Sequence, residues 1–256
     1  MFFLVFKNVN GCSGNVFKVS NSNLAGKATI LSNSDSTFII EEKVVSKSEG
    51  RYVRLDNVKP SKKAIELANL TEKDPRLVEL ILTESHEIVR HRDGVIIVEN
   101  RQGVVLANAG IDRSNVESDN NSEQVLLLPL NPDESASNIR NKFQKKANVN
   151  IAVIINDSIG RAWRNGTIGT SLGVSGLPSI LNLRGQPDLF GKPLTSSEVA
   201  ISDELSSAAS LLQGQANEGR PVVLIRGYSF PISPSAASIT SGFSGLIRPK
   251  GKDLFR

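Results

Sequence analysis

Ile151-Ala152-Val153-Ile154-Ile155-Asn156-Asp157-Ser158-Ile159-Gly160-Arg161 is an apolar run that breaks into an amide, a carboxylate, a hydroxyl and a glycine. Residues 149–155 are expected to form a buried β-strand, because a short β-branched run bounded by turn residues suits a strand covered on both faces. That strand would deliver Asp157 and Ser158 onto a turn, where adjacent hard oxygen donors fit a divalent cation. Arg161 and Arg164 follow within a few residues, and both could neutralise phosphate charge. A capped turn whose arginines form surface ion pairs explains the same residues. Trp163, the only tryptophan, is expected to be a packing anchor.

A second apolar run, Val104-Val105-Leu106-Ala107-Asn108-Ala109-Gly110-Ile111-Asp112-Arg113-Ser114-Asn115, also ends in a carboxylate-bearing turn. Asp112 would coordinate a cation while Asn115 reaches a nucleotide base or phosphate. The alternative is an Asx-turn, in which Asp accepts a downstream backbone N–H. Further upstream, Phe38–Val45 reads as a strand running into a loop at residues 46–51. Lys47 would then lie just beyond the strand, where it touches phosphate or is simply solvated. It is not part of a Walker loop, whose glycine spacing is absent throughout the chain.

Between these segments the chain alternates helix and strand signals. Asp74-Pro75 starts a helix with a capping acid and a proline in the first turn, and Leu77, Leu80, Ile81 and Ile88 would form its buried face. Val95–Val98 and Val104–Leu106 read as a hairpin around Asn100–Gly103. Residues 117–123 are polar and loop-like, and Val125–Pro129 is a strand closed by proline. Asp133 would cap a helix that buries Ala136, Ile139 and Phe143. Ile201, Leu205, Ala208, Ala209 and Leu212 mark a helix that stops at Gly214. The segment Gln213-Gly214-Gln215-Ala216-Asn217-Glu218-Gly219-Arg220 follows it, and either wraps a ligand through backbone amides or is a plain connection. Pro221–Arg226 is a buried strand, and residues 229–245 form a Ser-, Pro- and Gly-rich arm. The mixture is α+β, with no tandem repeat and no coiled-coil heptads.

Composition narrows the partners. The 256 residues carry 39% hydrophobic and 22% charged side chains, which excludes wholesale disorder. The net charge of +4 brings nucleic acid into question. Basic residues are interleaved with acids, however, and two tyrosines and one tryptophan leave few stacking platforms for bases. A small anionic substrate explains the mild basicity, and no nucleic-acid partner is expected. The opening Met1–Phe6 is too short for a membrane span and reads as a first strand. The single cysteine, Cys12, cannot close an intramolecular disulfide, which fits a cytoplasmic protein without a membrane partner. His86 and His91 have no metal-ligand spacing with any cysteine and read as structural or exposed. No serine sits in a nucleophile motif.

Several segments together resemble the coenzyme F-420-0:L-glutamate ligases, also called coenzyme F-420 gamma-glutamyl ligases. They are VVSKSEGR at 44–51, ANAGIDRSN at 107–115, INDSIGRAWRNG at 155–166, RGQPDLFG at 184–191, EVAISDELSSAASLLQG at 198–214 and LIRPKGKDLFR at 246–256. The resemblance runs in order over roughly residues 36–256. It implies a two-lobed α+β gamma-glutamyl ligase fold, a single ligase domain over 1–256 with a divergent stretch at 1–35 and a C-terminal arm at 229–256, and an intertwined homodimer. It also implies a GTP-dependent ligase that joins L-glutamate to a deazaflavin precursor through an acyl phosphate, with two Mg²⁺ or Mn²⁺ ions. Carried position by position, Asp112 and Asp157 match metal-binding aspartates. Ser158 stands where the family usually has Thr, and Gln215 lies at a second-metal position. Lys47, Asn115 and the segment from Gln213 through Gly214, Gln215, Ala216, Asn217, Glu218 and Gly219 to Arg220 match nucleotide-contacting positions.

Two departures fall on the nucleotide side. Residues 1–30 lack the family's Gly-Ile-Pro or Gly-Leu-Pro segment and its Gly-Asp-Asp element, and Glu42 stands where a small hydroxyl residue is usual. Other readings consistent with the residues are a ligase with a different carboxylate acceptor and a nucleotide- or coenzyme-binding paralog without turnover.

Overall fold

In the computed structural model of the chain, the described residues are 36–116, 123–226, 228 and 240–253. The expected first strand, Cys12, most of the polar loop at 117–123 and most of the arm after residue 229 lie outside them. The order begins β1 (Ser36–Glu41), α1 (Glu42–Ser48), β2 (Tyr52–Arg54), α2 (Lys62–Thr71), α3 (Pro75–Thr83) and β3 (Ser85–Arg92). It continues with β4 (Val95–Asn100), β5 (Val105–Ala107), β6 (Gln124–Leu126), α4 (Pro132–Ala147), β7 (Ala152–Gly160) and β8 (Thr167–Ser175). β9 (Pro178–Asn182), β10 (Glu198–Val199), α5 (Ile201–Gln213), β11 (Val222–Arg226) and β12 (Thr240–Ser241) complete it. The α+β reading holds. No helix among the described residues is long and apolar enough to cross a membrane.

The described chain divides into two compact units. The first holds residues 36–41, 131–158 and those described after 169. Its main sheet has the order β11-β1-β7-β8, with β1 antiparallel to β11 and parallel to β7. Ile39, Ala152, Ile154 and Val223 meet Ile201, Leu205 and Ala209 of α5 in one buried cluster. Each isoleucine, leucine or valine among them, fully buried, contributes about 1.5–3 kcal/mol. Phe38 stacks on Phe143 of α4 at 5.0 Å between ring centroids. Gly169 of β8 is obligatory, because a Cβ there would overlap the Ser206 carbonyl of α5.

The second unit holds residues 42–130 and 159–168. α2 and α3 bury Ala64, Leu67, Ala68, Leu77, Val78 and Ile81 with Ile96 and Val98 of β4. β3, β4 and β5 form one antiparallel sheet, and β2 pairs with β6. The expected hairpin is thus present, and α3 starts where expected. The Asp74 carboxylate accepts the Arg76 N–H at 2.8 Å, and its hydrogen bonds with the Arg76 side chain lead the effects that hold the carboxyl below its ordinary range.

Several expectations need correction. The first strand ends at Glu41, so Val44 and Val45 are helical and Lys47 sits on α1 rather than in a loop. Their β-branched character favours a strand, but Glu42, Val45 and Ser46 are buried at helical spacing and tertiary packing prevails. Ile88 belongs to β3 instead of α3, which ends at Thr83. Asn131, not Asp133, caps α4 by accepting the Glu134 N–H. Asp133 instead accepts N–H bonds from Val174 at 2.7 Å and Phe243 at 3.0 Å, tying β8 and the 243–246 turn to the start of α4. β7 continues to Gly160, so Asp157 and Ser158 lie on a strand and the turn comes at 161–166. Trp163 is 85% exposed with φ +64° in that turn, and packs into no core.

Candidate functional site

In the second unit, α1 presents Lys43 and Lys47 to the 112–115 turn. Residues four apart on a helix share a face, and both lysines use it. Lys43 Nζ lies 2.8 Å from Asp112 Oδ2 and donates to Ser114 Oγ at 3.2 Å. Lys47 Nζ donates to the Asn115 carbonyl at 2.7 Å. The Asp112 Oδ1 atom accepts from the Ser114 hydroxyl at 2.8 Å and the Ser114 N–H at 3.2 Å. The Asx-turn geometry is therefore real, and it leaves the carboxylate about a quarter exposed. Glu42, which departs from the family pattern, is buried in the first turn of α1, where helix amide dipoles favour a carboxylate.

The backbone before Asp112 is unusual. Asn108, Ala109 and Gly110 all adopt positive φ, at +51°, +57° and +70°, and Asn115 does so at +54°. Left-handed conformations cost about 1–2 kcal/mol per non-glycine residue, so the surroundings must hold them. The Asn108 side chain accepts the Ile96 N–H at 3.2 Å. Asp112 and Leu126 exchange two backbone hydrogen bonds at 2.9 Å each. Strain of this kind collects where a side chain must be aimed.

In the first unit, the strand's alternation decides the directions. Asn156 and Ser158 face the α5 side with Ile154, and Asp157 points to the opposite face. Asp157 Oδ1 accepts the Ser158 N–H at 2.6 Å, and Gln215 Nε2 donates to Ser158 Oγ at 2.7 Å. Gln213 is buried, with its amide engaged by Asn156, so a ligand would meet only its backbone. Gly214 has φ +82°, and a Cβ there would overlap the Glu218 carboxylate. Glu218 folds back on its own loop, where the Ala216 N–H donates at 2.8 Å and holds its carboxyl below the ordinary range. In the second unit, Arg161 Nη1 donates to the Gly166 carbonyl at 3.2 Å and closes the 161–166 turn, while Arg164 is exposed.

The structure thus brings Asp112 and Ser114 together with Lys43, Asn115 with Lys47, and Ser158 with Gln215. Ala216, Asn217, Gly219 and Arg220 are exposed on the 214–220 loop. No cluster of three His, Cys, Asp or Glu side chains occurs among the described residues, so a cation would rely on mixed oxygen donors. The oxygen types suit Mg²⁺ or Mn²⁺, with the Ser158 hydroxyl and the Gln215 amide on one face of β7 and the Asp157 carboxylate on the other. Lys43, Ser114 and Asn156 were not among the expected site residues. Reading residues 42–48 as a helix would have exposed the Lys43–Lys47 spacing.

Residues 15–227 match the family model described as F420-0:Gamma-glutamyl ligase, and the chain belongs to that family. It is 44% identical over 218 residues to the coenzyme F420:L-glutamate ligase of Methanocaldococcus jannaschii, covering 85% of this chain and 83% of the relative. The protein of the same name from Methanothermobacter thermautotrophicus is likewise 44% identical with the same coverage. That from Methanopyrus kandleri is 42% identical over 217 residues, 85% of this chain and 84% of its own.

Proposed function

We propose that this chain is a GTP- and divalent-metal-dependent ligase that adds L-glutamate to the deazaflavin coenzyme F420 precursor. What supports the reading is that the kinship to ligases of that name extends through both oxygen-donor clusters, with Asp112, Asp157, Ser158 and Gln215 all inside the matched stretch.

In this reading the precursor's carboxylate attacks the γ-phosphorus of GTP, giving an acyl phosphate and GDP. The amine of L-glutamate then attacks the acyl carbon, loses a proton, and expels inorganic phosphate as the amide forms. Lys47 neutralises phosphate charge from α1, with Asn115 beside it in the nucleotide contact, and the segment from Gln213 to Arg220 carries the nucleotide contacts of the first unit. Asp112, Asp157, Ser158 and Gln215 are the proposed cation ligands. Bound Mg²⁺ or Mn²⁺ supplies charge neutralisation on the phosphates and polarises the phosphorus–oxygen bonds. No side chain in either cluster is a covalent nucleophile, so the protein contributes positioning and electrostatics. The protein acts in the cytoplasm as a homodimer.

Mass spectrometry of purified protein with GTP, Mg²⁺ or Mn²⁺, L-glutamate and the unglutamylated deazaflavin tests this. A glutamyl adduct with stoichiometric GDP is expected. No adduct from folded, metal-supplied protein would sink the reading and favour a changed acceptor or a binding paralog.

A further inference from the structure

The proposed site uses Asp157, Ser158 and Gln215 and gives no role to the two buried amides beside them. Asn156 is 2% exposed and Gln213 3%. Asn156 Nδ2 donates to Gln213 Oε1 at 2.8 Å, and Gln213 Nε2 donates back to Asn156 Oδ1 at 3.1 Å. Gln213 Nε2 also reaches the Pro221 carbonyl at 3.4 Å, and that carbonyl accepts the Glu41 N–H at 2.8 Å. The Pro221 carbonyl fixes the orientation of both amides, because a flipped Gln213 would set two oxygens face to face.

We propose that Asn156 and Gln213 form a positioning clamp that sets the end of β7, and with it Asp157 and Ser158, while closing the base of the 214–220 loop that carries Gln215. The inference rests on the metal role proposed for Asp157 and Ser158. Along the face of β7 that meets α5, the contacts change character. Ile154 packs in the apolar cluster with Leu205 and Ala209, a contact that tolerates small rotations. At the next two positions on that face the partners are Gln213 and Gln215, and the contact becomes directional. A buried amide is costly unless it is paired, whereas two aliphatic side chains would fill the same space without that cost. What the amides add is direction. Two reciprocal hydrogen bonds fix the rotation of β7 at Asn156, and the rotation at that point decides where the next side chain, Asp157, is aimed. Because Gln213 also binds Pro221, one side chain joins the strand to both ends of the loop. Partners that orient metal ligands without touching the ion typically change metal affinity about 10–100-fold when removed.

The test uses Mn²⁺ as the probe, with binding and thermal unfolding measured on the full chain for Asn156→Leu, Gln213→Met, the double variant and Asp157→Asn. Each single variant strands one buried amide, so both melting temperature and Mn²⁺ affinity should fall. The double variant removes both polar groups, so its melting temperature should recover while Mn²⁺ binding stays about tenfold weaker. If affinity recovers together with stability, the pair is only structural and the clamp is overturned. Full Mn²⁺ affinity in Asp157→Asn would remove the metal reading itself, and the clamp with it. Weakened binding in Asp157→Asn beside normal binding in the double variant would remove the clamp alone.

Discussion

The Asp112 turn and the Asp157 strand aim the same side chain by opposite means. Asp112 follows three consecutive left-handed residues and is held from outside, by Lys43 of α1, the Ser114 hydroxyl and a two-bond bridge to Leu126. Asp157 sits inside an unbroken nine-residue strand next to a buried amide pair. In the turn, the contacts that orient the carboxylate also hold the local backbone. In the strand, the sheet holds the backbone, and the carboxylate accepts the Ser158 N–H. Function and stability should therefore separate at Asp157 and stay coupled at Asp112.

Asp157→Asn is the largest expected effect. It removes the charge of a proposed cation ligand while conserving volume, so ligase turnover should drop by about a hundredfold or more with an unchanged melting temperature. Asp112→Asn should lower turnover too, but with a measurable loss of stability of up to about 1 kcal/mol from its quarter-exposed pair with Lys43. Equal melting temperatures for the two variants, read by calorimetry, would break the contrast.

Gly110→Ala probes the turn's backbone directly. Its φ of +70° disfavours a side chain, and a Cβ would lie 2.7 Å from Leu128 Cδ1 and 3.0 Å from Leu106 Cδ1. Strain and overpacking together should cost about 2–3 kcal/mol. Denaturant unfolding at wild-type midpoint would show that the turn is soft. Under the proposed function, Lys47→Ala should weaken GTP use by about tenfold, the loss expected for one charge-assisted contact. A normal KM for GTP would confine Lys47 to bracing the Asn115 carbonyl.

The two regions also differed in legibility. The apolar core of β7 stood out in sequence, as did the Asp74-Pro75 helix start, the β4–β5 hairpin and the Gly214 stop of α5, because each carries its own local signal. The end of β7 did not. Asn156, Asp157 and Ser158 look like a turn, yet the strand runs on between β1 and β8, with Asn156 paired to Gln213 and Ser158 to Gln215, more than fifty residues away in sequence. α1 was hidden by Val44 and Val45, whose strand preference is overruled by burial at Glu42, Val45 and Ser46. Asp133 has the composition of a helix cap, yet its partners Val174 and Phe243 are long-range. Pairings of that kind leave no periodic trace in a single sequence. Trp163 misled for a related reason: a large aromatic side chain is usually buried, and although Asn165-Gly166 announces a turn, nothing announces a left-handed, exposed tryptophan in it.

The smallest effect concerns the loop that Gln215 shares with Glu218. The Ala216 N–H, above all, lowers the Glu218 carboxyl from its ordinary value of 4.5. A group depressed in the folded state stabilises it above the unfolded value, and that contribution is lost as pH falls through the folded value. Glu218→Gln should therefore be slightly less stable than the parent at neutral pH, with the gap closing below pH 4.5. Melting curves of the two proteins at descending pH measure this. Glu218 is fully exposed, so the gap should be small and shrink with added salt. A gap that persists undiminished in acid would mean that shape, through the close approach of Gly214, holds the loop rather than charge. The 214–220 loop would then resemble the strand beside it, fixed by packing, instead of the ion-paired turn at Asp112.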